Sequence, residues 1–224
     1  MGKLGFLAVV LLTCTLGNLS AAPDQWDPPS TAFYPSKNKV YKFVVYPTKL
    51  TTSPESPNGA ILMGETDSCC RGRMVKVGNN EKEVTIWQGP LRNPISPVSA
   101  MVTDDGKFVV TFDDWHSVGM GSNVVVIYGN GGRTIANFSL SDFLNEEQIN
   151  RLIRTTTSRW WEGEHCFSPD SKLLILQVKA NEKQIIDDDY TGKQTILSEE
   201  DYQKRLKYQT IVLDLGTGRV IQNT

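Results

Sequence analysis

Three times along the chain, a short apolar run meets a turn signal and a second apolar run at nearly the same offset. The middle copy is the plainest: Ser99 to Phe112 (SAMVTDDGKFVVTF), then Asn123 to Phe138 (NVVVIYGNGGRTIANF). Another runs from Phe167 to Val178 (FSPDSKLLILQV), then Tyr208 to Ile221 (YQTIVLDLGTGRVI). A worn copy ends at Arg71 to Trp87 (RGRMVKVGNNEKEVTIW). Asp105-Gly106 and Asn130-Gly131-Gly132 mark hairpin turns, because glycine accepts the positive φ that a tight turn demands. Asp170-Ser171, Thr217-Gly218 and Gly78-Asn79-Asn80 supply the corresponding turns of the other copies. Val40 to Tyr46 is β-branched and aromatic and predicts a further strand. Val124 to Ile127 and Leu173 to Leu176 are continuous apolar runs, which predicts strands buried on both faces. The pattern predicts an all-β chain of antiparallel repeat hairpins.

Two insertions interrupt it and read as short helices. Asn145 to Arg154 has a capping Asn145, Gln148 three residues on, and Ile149, Leu152 and Ile153 on one side. Ser198 to Lys207 sets Glu200 four residues before Lys204. The polar stretch Ala180 to Thr195 reads as a loop.

The ends and the charge narrow the setting. Lys3, the apolar run Leu4 to Leu16, and the small residues Ser20, Ala21 and Ala22 follow the plan of a secretory signal peptide, expected at residues 1–21. A retained N-terminal anchor is the alternative. Residues 22–38 read as a Pro-rich leader, since Pro23, Pro28, Pro29 and Pro35 disfavour regular structure. Residues 39–224 read as a single β-repeat domain, expected to be secreted or periplasmic, with no membrane span after cleavage. A net charge of −2 with no basic tract argues against nucleic acid as a partner. Export permits a disulfide, expected between Cys166 and either Cys69 or Cys70; three reduced thiols are the alternative.

The unit Ser-Pro-Asp-x-Lys, apolar strand, loop, apolar strand, Thr-Gly resembles blades of β-propellers, the WD-repeat class among them. Ser168, Pro169, Asp170 and Lys172 carry the first part, and Asp214, Thr217, Gly218 and Arg219 the second. Leu213-Asp214 and Tyr128-Gly129 stand where that class has Trp-Asp. The stretch from Val102 to Tyr128 is also similar to secreted bacterial proteins of unassigned activity. A blade needs four strands and a ring usually four to eight blades. Three copies therefore imply an incomplete or small β-propeller-like architecture.

If each copy runs A-B-C-D, its B–C loop and its D–A connection emerge at one end. That places residues 113–122, 158–166, Cys69 and Cys70 together, gathering both histidines and three of the five tryptophans. Asp113, Trp115, His116, Arg159, Trp160, Trp161 and His165 are the candidate ligand-binding residues. Tryptophan offers flat apolar area that anchors partners. Asp113, His116 and His165 are of the types that ligate zinc, which makes a metal-assisted hydrolase the alternative function. Glu162 and Glu164 read as solvated acids. No Gly-x-Ser-x-Gly elbow is present, and no cofactor is expected. The leading expectation is a non-enzymatic binding or scaffold protein whose partner is a protein or a cell-envelope polymer. Self-association to complete a ring is a further expectation.

Overall fold

The computed structural model describes residues 27–52, 61–62, 69–181, 185–188, 193–196 and 207–223. The expected signal peptide lies outside them. Three four-stranded antiparallel sheets form the framework of these residues, and none is closed into a barrel. The first sheet holds β1 (Ala32–Pro35) and β2 (Tyr41–Tyr46). A short pair, β3 (Thr51–Thr52) and β4 (Ile61–Leu62), intervenes before the sheet resumes with β5 (Arg71–Val77) and β6 (Glu83–Pro90). The second sheet is β7 (Pro97–Val102), β8 (Val109–Asp114), β9 (Val125–Tyr128) and β10 (Thr134–Phe138), in that spatial order. The third has β11 (Glu162–Phe167) and β12 (Leu173–Asn181), then, after the pair β13 (Ile185–Asp188) and β14 (Lys193–Ile196), β15 (Lys207–Asp214) and β16 (Val220–Asn223).

The repeat is chemical as well as topological. At the turn between the first two strands of each sheet, a hydroxyl accepts the amide five residues on and donates to a side chain two residues on. Ser36 does this with Tyr41 and Asn38, Thr103 with Phe108 and Asp105, and Ser168 with Leu173 and Asp170. The residue three after each hydroxyl, Lys39, Gly106 or Ser171, has positive φ. Such side-chain turns fix hairpin geometry locally.

Period-two alternation builds two cores around the second sheet. Val110, Phe112, Val125 and Ile127 face the third sheet and pack with Leu174, Leu176, Ile211 and Leu213. Val109, Val126 and Tyr128 face the first sheet and pack with Phe43, Val45, Met74 and Trp87. The middle sheet is thus covered on both faces, as the apolar run from Val124 predicts. The run Leu173 to Leu176 behaves differently: Leu174 and Leu176 are buried, whereas Leu173 and Ile175 are half-buried. Only one face of the third sheet meets the second.

Three expectations are corrected. The leader assigned to residues 22–38 contains β1, which pairs with β2 from Ala32↔Val45 to Pro35↔Lys42. Proline is tolerated there because β1 is an edge strand and Pro35 ends it. The stretch read as a loop from Ala180 carries the end of β12 and the β13–β14 pair. Lys207, expected in a helix, begins β15; residues 198–206 lie outside the described ones. The other expected helix is α1 (Glu146–Arg151), with the predicted cap: Asn145 Oδ1 accepts Gln148 N–H, and Gln148 Oε1 accepts Asn145 N–H, each at 2.9 Å.

Candidate functional site

The loop from β8 to β9 and the connection from β10 to β11 lie side by side at one end of the sheets, as the strand order requires. Val118 bridges Ser158, and the Arg159 amide donates to the Val118 carbonyl at 2.9 Å. The guanidinium of Arg159 donates to the Ile149 carbonyl at 3.0 Å, which ties the segment after α1 into place. Trp160 N–H donates to Ile153 O, and Trp161 O accepts Lys179 N–H from β12.

Asp113 is the pivot of this seam. Strict alternation would send its side chain toward the first sheet, like that of Thr111, which bonds Asn93. Instead its φ of +53° turns the carboxylate toward the third sheet. Asp tolerates this left-handed backbone better than most residues. The displaced main-chain oxygen accepts the Asn93 amide at 2.9 Å. Asp113 is completely buried. Its Oδ1 accepts Gly119 N–H at 2.6 Å, and its Oδ2 accepts the Trp161 indole N–H at 2.9 Å. Gly119 has φ +64°, and a Cβ there would meet the Arg159 carbonyl oxygen at 2.5 Å, so the loop closes this tightly only with glycine.

Beside Asp113 lies Glu162. Burial pushes Asp113 up to about 8, the Gly119 and Trp161 N–H groups oppose that rise, and the Glu162 carboxyl adds to it. Glu162 is also raised by burial, against the pull of Asp113 and Lys179. Glu162 was expected to be solvated; the bulge that breaks the β11–β12 register between Glu162 and His165 places it here instead. Glu164 is exposed, as expected. His165 stacks between Phe112, 4.8 Å between centroids, and Trp161, 5.3 Å. Burial lowers His165 to about 4, against the opposing pull of a backbone hydrogen bond at Glu164.

The seven candidate residues therefore divide. Asp113, Trp161 and His165 form a buried hub, and Arg159 braces it. Trp115, His116 and Trp160 remain at the surface. Trp160 is 49% exposed and His116 is exposed. Trp115 lies 5.4 Å from the His116 ring and donates its indole N–H to the Asp27 carbonyl at 2.9 Å. Asp113, His116 and His165 do not form a ligand set. Asp113 is occupied by N–H donors, His165 is enclosed by rings, and among the described residues no three His, Cys, Asp or Glu side chains group around a metal position.

The expected disulfide is not formed: Cys69, Cys70 and Cys166 are all free. Cys70 is buried beside Tyr34 and Asp114, and burial pushes its thiol up to about 12. Cys166 sits near the far end of β11, next to the Ser168 turn, so the thiols belong to opposite ends of the sheets. It borders a cavity of about 500 Å³ between the first strands of the three sheets, lined also by Pro35, Lys37, Met101 and His165.

Sequence reading missed Asn93, Phe112 and Gly119. The Asn-Pro at 93–94 and the glycines of the VGMG run were the available signals. No protein-family model matches the chain, and no curated protein matches it.

Proposed function

We propose that this is a secreted, non-catalytic binding module of propeller-like repeats, which holds a protein or cell-envelope polymer against Trp115, His116 and Trp160. The observation that carries this reading is Trp160. Half of its side chain is exposed although the backbone on both sides of it is pinned to neighbouring strands and loops. A rigidly presented indole is the kind of anchor that dominates interface energetics, because little conformational freedom is lost on binding. The adjacent loop adds a second indole and an exposed imidazole. The buried hub gives no route for substrate to Asp113, which favours binding over chemistry. The expectation of export rests on the Lys3 and Leu4–Leu16 pattern.

The test pairs sedimentation with isolated peptidoglycan and photo-crosslinking from position 160 in exporting bacterial cells. The reading requires one of them to succeed, and requires Trp115→Ala/Trp160→Ala to weaken the successful interaction at least about tenfold, roughly 1.4 kcal/mol. No polymer binding and no crosslink, or binding unchanged in the double variant, overturns it.

A further inference from the structure

We propose that the cavity between the first strands of the three sheets takes an extended apolar peptide carrying a carboxylate, which adds as a strand along the open edge of β11. The cavity, about 500 Å³, is lined by consecutive residues: Ala100, Met101 and Val102 of β7, and His165, Cys166 and Phe167 of β11. Successive side chains of a strand point to opposite faces, so an unbroken run of lining residues means that the strand's edge borders the cavity. Both strands are the first and outermost of their sheets. Among the described residues no main-chain hydrogen bond joins β11 to β7 or to β1. The edge of β11 therefore offers alternating N–H and C=O groups to the cavity, a pattern that a second extended chain matches. β1 lies against β7, which leaves β11 the less obstructed edge.

The gap stays open because one latch of the repeat is missing. The β1–β2 turn is tied to the β7–β8 turn by Asn38, whose N–H donates to Asp104 Oδ1 and whose Nδ2 donates to the Asp104 carbonyl, each at 2.8 Å. Counted from the turn hydroxyls Ser36, Thr103 and Ser168, the same two positions between the second and third sheets are Asp105 and Pro169. Proline has no side-chain acceptor, and an ionised Asp105 has no proton to donate. Asp105 is instead folded back on Thr103 and on the Lys107 amide. Neither bond can form, and the third turn stands apart from the second.

The side chains around the gap narrow the ligand. Met101, Val102, Phe167 and Pro169 give the cavity its apolar surface. Lys37 is exposed at its rim and has no ion-pair partner among the described residues. Asp104, the acid of the same lining, is already held by Asn38. The cation left over suits a carboxylate, from a chain terminus or from an acidic side chain. The β7–β8 turn and the β8–β9 loop lie at the two ends of β8, so this site is opposite Trp115, His116 and Trp160 and goes beyond the binding reading above.

Selection on the immobilised protein from two libraries of short random peptides supplies the probe. One library has free carboxyl termini; the other holds the random segment between fixed flanks. Alternating apolar sequences with a carboxylate are expected, from the first library if a chain terminus is recognised and with enriched Asp or Glu in the second if a side chain is. The selected peptide, synthesised, is expected to slow exchange of the β11 amides that are not bonded to β12 at least about tenfold. Its affinity should fall about tenfold in Lys37→Glu, and it should not bind once N-ethylmaleimide has capped the exposed Cys166 in a Cys69→Ser background. Trp115→Ala/Trp160→Ala should leave this affinity unchanged, so the two sites fail or succeed separately. No enriched sequence from either library, no protection of β11, or binding indifferent to the Cys166 cap or to Lys37→Glu overturns the proposal.

Discussion

Trp161 donates its indole N–H to the Asp113 carboxylate at 2.9 Å across the seam between the second and third sheets, and neither side chain is exposed. Removing the acceptor strands two buried donors, Gly119 N–H and Trp161 Nε1–H. Each costs roughly 1–3 kcal/mol, and an alanine at φ +53° adds about 1–2 kcal/mol. Asp113→Ala should therefore destabilise by on the order of 4 kcal/mol in urea unfolding. Asp113→Asn, which keeps an acceptor and suits the backbone, should lose on the order of 1 kcal/mol. Equal losses in the two variants would mean that the seam does not depend on this acceptor.

The same hub makes stability depend on pH in two opposed ways. Asp113 is raised to about 8, so its native state holds a proton that the unfolded chain has released. Its stabilisation is complete below about pH 4 and is lost as pH rises toward 8. His165 is lowered to about 4, so its native state stays neutral where the unfolded chain gains a proton; that contribution is complete above about pH 6.5 and is lost as pH falls toward 4. The two nearly offset each other between pH 4 and 6.5, and only the carboxyl term acts above. Thermal melts of wild type should fall from pH 6.5 to 8. Asp113→Asn should instead rise from pH 4 to 6.5 and then level. A wild-type melting temperature that climbs from pH 6.5 to 8 would contradict the assigned directions.

Ser36 tests whether the first strand belongs to the domain. It is buried, accepts Tyr41 N–H at 3.0 Å and donates to Asn38 at 2.7 Å. Its counterpart Ser168 makes the same bonds while half-exposed. Ser36→Ala should cost about 1.5 kcal/mol and Ser168→Ala about half that, since water replaces partners more readily at an open turn. No effect from Ser36→Ala would place residues 32–41 outside the cooperative unit.

The hairpins were legible because turn chemistry is local. Asp105-Gly106, Asn130-Gly131-Gly132 and the Asn145–Gln148 cap each announce themselves within a few residues, and the end at which the loops gather follows from strand order alone. The first strand was hidden by its prolines, although Ser36-Lys37-Asn38-Lys39-Val40-Tyr41 carries the same turn as Ser168 to Leu173. The division of the site was not legible. Whether Asp113 points at solvent, at the first sheet or at Trp161 is decided by one backbone angle and a neighbour forty-eight positions away. Likewise the depth of Glu162 depends on a bulge, which alternation rules do not foresee.

Gly132 separates backbone strain from packing between sheets. It lies in the β9–β10 turn with φ +75°, and a Cβ there would approach the Trp87 ring of the first sheet at 2.6 Å. Gly121 has φ +78° with nothing within 4 Å of its would-be Cβ. Alanine at either position incurs the left-handed penalty of about 1–2 kcal/mol. Only Gly132→Ala must also displace Trp87, which packs between Phe43 and Tyr128 at 5.6 and 6.5 Å, adding about 1–3 kcal/mol of overpacking. Gly132→Ala should thus be about 2 kcal/mol more destabilising than Gly121→Ala in urea unfolding, with a matching shift in Trp fluorescence from the moved indole. If both variants lose the same amount, the second sheet does not rest on Trp87 through this turn, and the contact between the first two sheets is looser than the buried rings imply.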